Sequence, residues 1–194
     1  MNPEKVNFLV AGVGGQGTLL ASDIIALVGM EIGLEAKKSE VHGMAQRGGA
    51  VVSHVRWGPK VYSPLCEKGT VDYFVAQEML ESLRWLEYLR PGGVVVLNTE
   101  RLTPLSTVMG NEVYPSEEEM RRAWSARASR VLSIDASAEA EALGNLRVAN
   151  IILLGVLARA MAMDPDPWLA VVERRVPAKY RDLNRQAFMV GFQG

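Results

Sequence analysis

A chain of 194 residues with 48% hydrophobic and 22% charged side chains has the composition of a globular protein, not of a disordered one. It is shorter than the ~250 residues at which cores split, so one domain over residues 1–194 is expected. A formal net charge of −1 gives no excess of cations to draw the chain to a phosphate backbone or an anionic lipid surface, which argues against nucleic acid and membrane as partners. With Cys66 as the one cysteine, an internal disulfide, a cysteine-based zinc site and a four-thiolate iron–sulfur cluster are excluded, and any electron carrier has to sit on another chain.

The first residues, Met1 to Lys5, lack the apolar core and small-residue cleavage site of a secretory signal, so a cytoplasmic location is expected. Val6 to Ala11 reads as a strand that meets the turn Gly12-Val13-Gly14-Gly15-Gln16-Gly17. Thr18 to Met30 follows with helical spacing, Leu19, Leu20, Ile24, Leu27 and Val28 clustering on one side. A second strand carries Glu35 and gives way to a loop at Glu40. Ala50 to Trp57 alternates as a strand does, with one face free to be wet, and could continue as a hairpin across Gly58-Pro59 to Tyr62.

Further strands are predicted at Tyr73 to Ala76, at Val94 to Asn98 entered through Pro91-Gly92-Gly93, and at Arg130 to Ile134. Glu78 to Leu89 has helical apolar spacing, and Ser116 with Glu119 makes a capping box. Val148 to Met163 is interrupted by Asn150 and Arg159 and falls short of the ~18 apolar residues of a membrane span, so it reads as a core helix. The tail from Pro167 carries Arg174-Arg175 and Lys179-Tyr180-Arg181, expected on the solvated face of terminal helices. No internal repeat interrupts the alternation of strands and helices. The fold class it implies is α/β, a three-layer α/β/α sandwich with a largely parallel, Rossmann-like sheet.

Gly12, Gly14 and Gly17 satisfy G-x-G-x-x-G between a strand and a helix, where backbone N–H groups and the helix dipole can hold a phosphate. A dinucleotide also requires an acid at the end of the next strand; Glu35 comes too early and Glu40 opens a loop. As a P-loop the turn fails too, because Thr18 stands where the phosphate-binding lysine belongs. The glycines can equally serve only the sharp turn and close helix–strand packing, and both readings stay open.

A second segment, Glu40-Val41-His42-Gly43-Met44-Ala45-Gln46-Arg47-Gly48-Gly49, concentrates a histidine, a glutamine, an arginine and three glycines at the carboxyl end of a strand. Ligands and partners usually meet an α/β sheet at that end. Composition alone also fits a plain surface loop.

Taken together, GVGGQG at Gly12 to Gly17, EVHGMAQRGG at Glu40 to Gly49, VVSHVRWG at Val51 to Gly58 and SPL at Ser63 to Leu65 resemble the gamma-type subunits of the 2-oxoacid:ferredoxin oxidoreductases, closest to the indolepyruvate branch. The likeness continues through Asn150 to Gly155 and Arg175 to Tyr180; Glu67 to Thr70 is not distinctive of the branch. The resemblance implies an enzyme that converts a 2-oxoacid and coenzyme A to acyl-CoA, CO2 and reduced ferredoxin. Thiamine diphosphate, magnesium and iron–sulfur clusters would lie on a larger partner subunit, because the family's thiamine signature and the cluster cysteines are absent here. This chain would then be an accessory subunit with no cofactor or catalytic residue of its own, inactive alone, meeting ferredoxin and coenzyme A through the complex and free to pair as a homodimer when isolated. Its ligand- or subunit-interface residues would be Gly12, Gly14, Gly15, Gln16, Gly17, His42, Gly43, Met44, Gln46, Arg47, Gly48 and Gly49. The competing readings are a free-standing oxidoreductase binding NAD or FAD at the glycine turn, and a non-catalytic interaction module.

Among single residues, Arg47 offers a rigid five-donor fork for a carboxylate or phosphate, or a salt bridge to a partner. His42 lacks a neighbouring group to make it a base, and His54 reads as a structural residue on its strand; two histidines and one cysteine argue against a metal site. Asn150, on an apolar helix, must find hydrogen-bond partners and is expected to tie that helix to a loop. The methionines, Met44, Met161 and Met163 among them, and Trp57, Trp85, Trp124 and Trp168 are expected to pack.

Overall fold

The structure, a computed structural model, describes residues 5–42, 49–102 and 114–194. Its elements in chain order are β1 (Val6–Val13), α1 (Thr18–Glu31), β2 (Glu35–His42), β3 (Ala50–Gly58), β4 (Val71–Ala76), α2 (Met79–Arg84), β5 (Leu89–Asn98), α3 (Glu117–Ser125), β6 (Ala128–Ile134), α4 (Ala136–Ala142), α5 (Ala149–Ala160), α6 (Pro165–Arg175) and α7 (Arg181–Gln193). The six strands form one sheet in the order β2-β3-β1-β4-β5-β6. β1, β4, β5 and β6 pair in parallel, while β3 runs antiparallel to both β1 and β2. The mostly parallel sheet flanked by helices is the architecture that the alternation predicts.

β1 is apolar on both faces because both are covered. Phe8 and Val10 belong to the core shared with α1, α5, α6 and α7, whereas Leu9 and Ala11 belong to the core on the opposite face with α2 and α3. Trp57 and Trp168 are fully buried in the first core, and Met161 and Met163 pack against it. Trp124 lies in the second core. The α3 capping box forms as predicted, Glu119 N–H donating to Ser116 Oγ at 3.3 Å and Ser116 N–H to Glu119 Oε2 at 2.8 Å.

Five local expectations change, the first being the helix expected over Glu78 to Leu89, which ends at Arg84. The hairpin across Gly58-Pro59 does not form, because both edges of β3 are already taken by β2 and β1. The second face of β3 is not wet: Val52 and His54 are buried. Residues 61–66 cross over that face, held by Cys66 N–H donating to His54 Nδ1 at 3.3 Å and by Arg56 donating to the carbonyls of Ser63 and Leu65. β2 runs on to His42, so Glu40 lies within the strand, where it pairs with Lys38. β5 already begins at Leu89, and the register shift between Gly93 and Val94 shows Pro91-Gly92-Gly93 acting as an irregularity inside the strand.

α5 and α7 pack at near-minimum separation. A methyl on Gly155 would collide with the carbonyl oxygen of Phe188, and one on Gly191 with the carbonyl oxygen of Ile152. The helix backbones cannot accommodate a side chain without moving apart. Gly191→Ala is therefore expected to cost about 1–3 kcal/mol through overpacking; a urea midpoint equal to that of the parent would refute this.

α1, β2 and α6 are stapled by charge. Lys38 bridges Asp23 and Glu40, Arg175 donates to Asp23 at 2.6 Å, and Arg174 pairs with Glu31. The two tail arginines are thus surface residues that reach back to α1. Partial burial alone would raise the Asp23 pKa, but the bonds from Lys38 and Arg175 hold it below its ordinary 3.8. A depressed carboxylate adds stability above its unfolded pKa and loses it as pH falls through the folded one. Stability should drop on acidification through and below the ordinary aspartate range, and Asp23→Asn should flatten that drop in thermal melts recorded between about pH 5 and pH 2.5.

Candidate functional site

The helix after β1 lies on one face of the sheet and the helix after β4 on the other. The carboxyl ends of β1 and β4 therefore flank a switch point, the place where α/β sheets take ligands. Here the glycine turn is closed by its own glutamine. Val13 N–H donates to Gln16 Oε1 at 2.7 Å, and Gln16 Nε2 donates to the Gln77 carbonyl at 3.1 Å and to Glu100 Oε2 at 2.8 Å. One carboxamide thus joins the ends of β1, β4 and β5.

The turn's glycines have separate reasons. Left-handed φ falls on Gly15 (112°) and Gly17 (78°), where a β-carbon is strained. Gly17 also caps α1 and has no room for a β-carbon against the amide of Asn150. A β-carbon on Gly12 would lie 2.8 Å from Gln16 Oε1 and 3.0 Å from Thr18 Oγ1. Gly14 N–H donates to the Gly49 carbonyl at 2.9 Å, and this bond brings the two glycine-rich segments together. Asn150 does tie its helix to a loop, donating from Nδ2 to the Gly17 carbonyl at 3.1 Å.

His42 closes β2 opposite Val51, while Gly43, Met44, Gln46, Arg47 and Gly48 lie outside the described residues. The edge also holds residues that the sequence reading passed over. Asn98, buried at the end of β5, donates to the Gln77 carbonyl and accepts from Ala136 N–H. Glu78, buried after β4, accepts from Glu81 N–H, Leu102 N–H and Tyr114 Oη. Burial and the adjacent Glu78 push the Tyr114 hydroxyl well above its ordinary range. The signal for these residues was present: Gln77-Glu78 and Asn98 each terminate an apolar strand.

The described side chains of the edge form hydrogen bonds that position the strand ends. Among the described residues no group of three or more His, Cys, Asp or Glu side chains could hold a metal ion. Burial lowers the His54 pKa and pushes the Cys66 thiol up to about 12, so neither is a ready base or nucleophile. Val13, Gly14 and Gln16 spend their N–H groups inside the protein, which leaves little of a dinucleotide cradle. No described helix is long and apolar enough to cross a membrane.

Fold and edge together define the class: a mostly parallel α/β sandwich whose glycine turn is closed by its own glutamine. The chain belongs to the pyruvate ferredoxin/flavodoxin oxidoreductase family, whose model matches residues 7–194. It is 34% identical over 191 residues to indolepyruvate oxidoreductase subunit IorB of Pyrococcus horikoshii, covering 97% of this chain and 95% of the relative. It is 36% identical over 190 residues to the IorB of Archaeoglobus fulgidus, covering 97% and 94%. The fold matches the gamma subunit of a keto/oxoacid ferredoxin oxidoreductase from Geobacter sulfurreducens, with a TM-score of 0.71 at 24% identity over 97% of this chain and 96% of that one. It also matches 31% of the 2-oxoglutarate:ferredoxin oxidoreductase chain of Magnetococcus marinus, with a TM-score of 0.75 at 22% identity over 98% of this chain.

Gln16→Ala is expected to cost about 1–3 kcal/mol, because it leaves Val13 N–H without its partner and takes the shorter of two bonds from Glu100. Gln16→Glu should be worse at pH 7, since it sets a second carboxylate beside Glu100, and should recover as falling pH neutralises one of the two. Equal melting temperatures for the two variants at pH 7 would remove Gln16 from its central place.

Proposed function

We propose that this chain is the small accessory subunit of a 2-oxoacid:ferredoxin oxidoreductase of the indolepyruvate type. Its role is to complete a site at which a 2-oxoacid and coenzyme A become acyl-CoA and CO2 while ferredoxin is reduced. The observation that carries the reading is the end-to-end similarity to two IorB subunits. The bond from Gly14 to Gly49 supports it by bringing the family's two glycine-rich segments to one edge. Thiamine diphosphate, magnesium and iron–sulfur clusters belong, on this reading, to a larger partner subunit in the cytoplasm. This chain contributes surface and hydrogen-bonding groups, with no group that transfers electrons. The self-closed glycine turn speaks against NAD or FAD.

Co-expression with a large thiamine- and cluster-bearing subunit should give a heteromer active on aryl 2-oxoacids, whereas the isolated chain should be colourless and inactive. A cluster or thiamine bound to this chain alone would overturn the assignment. Within the heteromer, Arg47→Ala should lower activity at least tenfold, a loss of about 1.4 kcal/mol or more in transition-state stabilisation, with the melting temperature of the isolated chain unchanged. If Arg47 bridges the subunits, association weakens first; if it holds an anion of substrate or coenzyme, apparent affinity falls with assembly intact. Full activity with normal assembly would remove Arg47 from the site.

A further inference from the structure

We propose that the cavity at the carboxyl ends of β1, β4 and β5 is a binding site for a neutral amide group, supplied by a partner chain or by a small molecule. Gly15, Gln16, Gln77, Asn98, Arg147 and Asn150 are among the residues that line it, and its volume is about 170 Å³. At roughly 30 Å³ per water-sized unit it has room for about five or six non-hydrogen atoms. That is below the ~300 Å³ at which pockets for whole ligands begin. The cavity takes one arm of a molecule, not a dinucleotide.

The chemistry of the arm follows from what the walls leave unpaired. Gln77 and Asn150 are each 2% exposed. Among the described residues, neither Nε2 of the first nor Oδ1 of the second has a hydrogen-bond partner. A buried polar atom left unpaired costs about 1–3 kcal/mol, and native proteins leave few such atoms. The orientation of Asn150 is fixed by its neighbour: Nδ2 donates to the Gly17 carbonyl, so Oδ1 is the atom left over. Two residues of the cavity lining thus carry one spare donor and one spare acceptor, on side chains 73 residues apart in the sequence. An amide satisfies both once the Gln77 side chain turns toward it, its carbonyl accepting from Gln77 Nε2 and its N–H donating to Asn150 Oδ1.

Charged ligands fit less well. An anion could pair with Arg147 at the wall, but it would leave Asn150 Oδ1 unpaired and would meet the Glu100 carboxylate, which also lines the cavity and already accepts from Gln16 and Asn98. A cation would leave the Gln77 donor unpaired. The proposal deepens the reading of this edge as ligand- or partner-facing and rests on it for biological meaning, but its test needs only this chain.

The test is an NMR titration of the ¹⁵N-labelled full chain with N-methylacetamide, using acetate and methylammonium as anionic and cationic controls. A saturable shift of the Gln77 and Asn150 side-chain amides is expected, with at least tenfold weaker responses to both controls. Gln77→Met, which keeps length and loses the donor, should weaken the amide response at least tenfold while backbone resonances stay in place. If that variant unfolds, Asn150→Ser provides the same comparison from the other wall. An equal response to acetate, a shift that never saturates, as for a cavity holding only water, or undiminished binding by the variants overturns the proposal.

Adding the large subunit then separates the sources. Displacement of N-methylacetamide by the partner assigns the arm to the partner chain, and continued amide binding within the complex assigns it to a small molecule. Failed reconstitution of 2-oxoacid oxidation beside an intact titration would sink the accessory-subunit reading and leave the amide site standing.

Discussion

The carboxamide of Gln16 organises the edge at which β1, β4 and β5 end. It accepts from the end of β1 and donates to the ends of β4 and β5, so one uncharged side chain sets the spacing of strands whose helices leave on opposite faces. In a nucleotide-binding sheet that space is kept for a phosphate, with turn amides left open to receive it. Here Gln16 occupies part of it and ties the strand ends together without a ligand. Such preorganisation lowers the ordering cost of any binding at this edge.

Much of the fold was legible because its signals are local. Apolar runs gave each of the parallel strands β1, β4, β5 and β6, and the capping box at Ser116 marked the start of α3. Topology was less legible where it depends on who pairs with whom. The alternation in β3 shows a strand but not that both of its edges are occupied, and so it suggested a hairpin across Gly58-Pro59. In the structure β2 and β1 hold those edges. Its second face looked wet for the same reason, since the cover comes from residues 61–66, a stretch with no periodicity to announce it.

The site divides along the same line. The glycine turn and Gly49 were visible as motifs, and Asn150 as a polar residue that needed a partner on an apolar helix. Their meeting was not visible, because the bond from Gly14 to Gly49 and the bond from Asn150 to Gly17 join residues far apart in sequence. Gln77, Glu78 and Asn98 were overlooked because a polar residue after an apolar run reads as the end of a strand. Only the buried environment shows that each has to be paired, and with what.

Glu78 extends this logic to the neighbouring part of the edge. It follows Gln77 directly, is 1% exposed, and accepts from Leu102 N–H at 3.2 Å and from Tyr114 Oη at 2.6 Å. One buried carboxylate therefore holds both Leu102 and Tyr114. A buried charge is tolerated only when fully hydrogen bonded, and the bond from Glu81 N–H adds a third donor at the start of α2. The two consecutive residues that end β4 thus divide the work: the Gln77 backbone carbonyl receives Gln16 and Asn98 at the switch point, while the Glu78 side chain anchors the chain on the second face. Among the described residues the donors to Glu78 and Glu100 are amides and a hydroxyl, so these acids hold the edge through directional hydrogen bonds and not through ion pairs, which fixes geometry more closely than an undirected charge contact would.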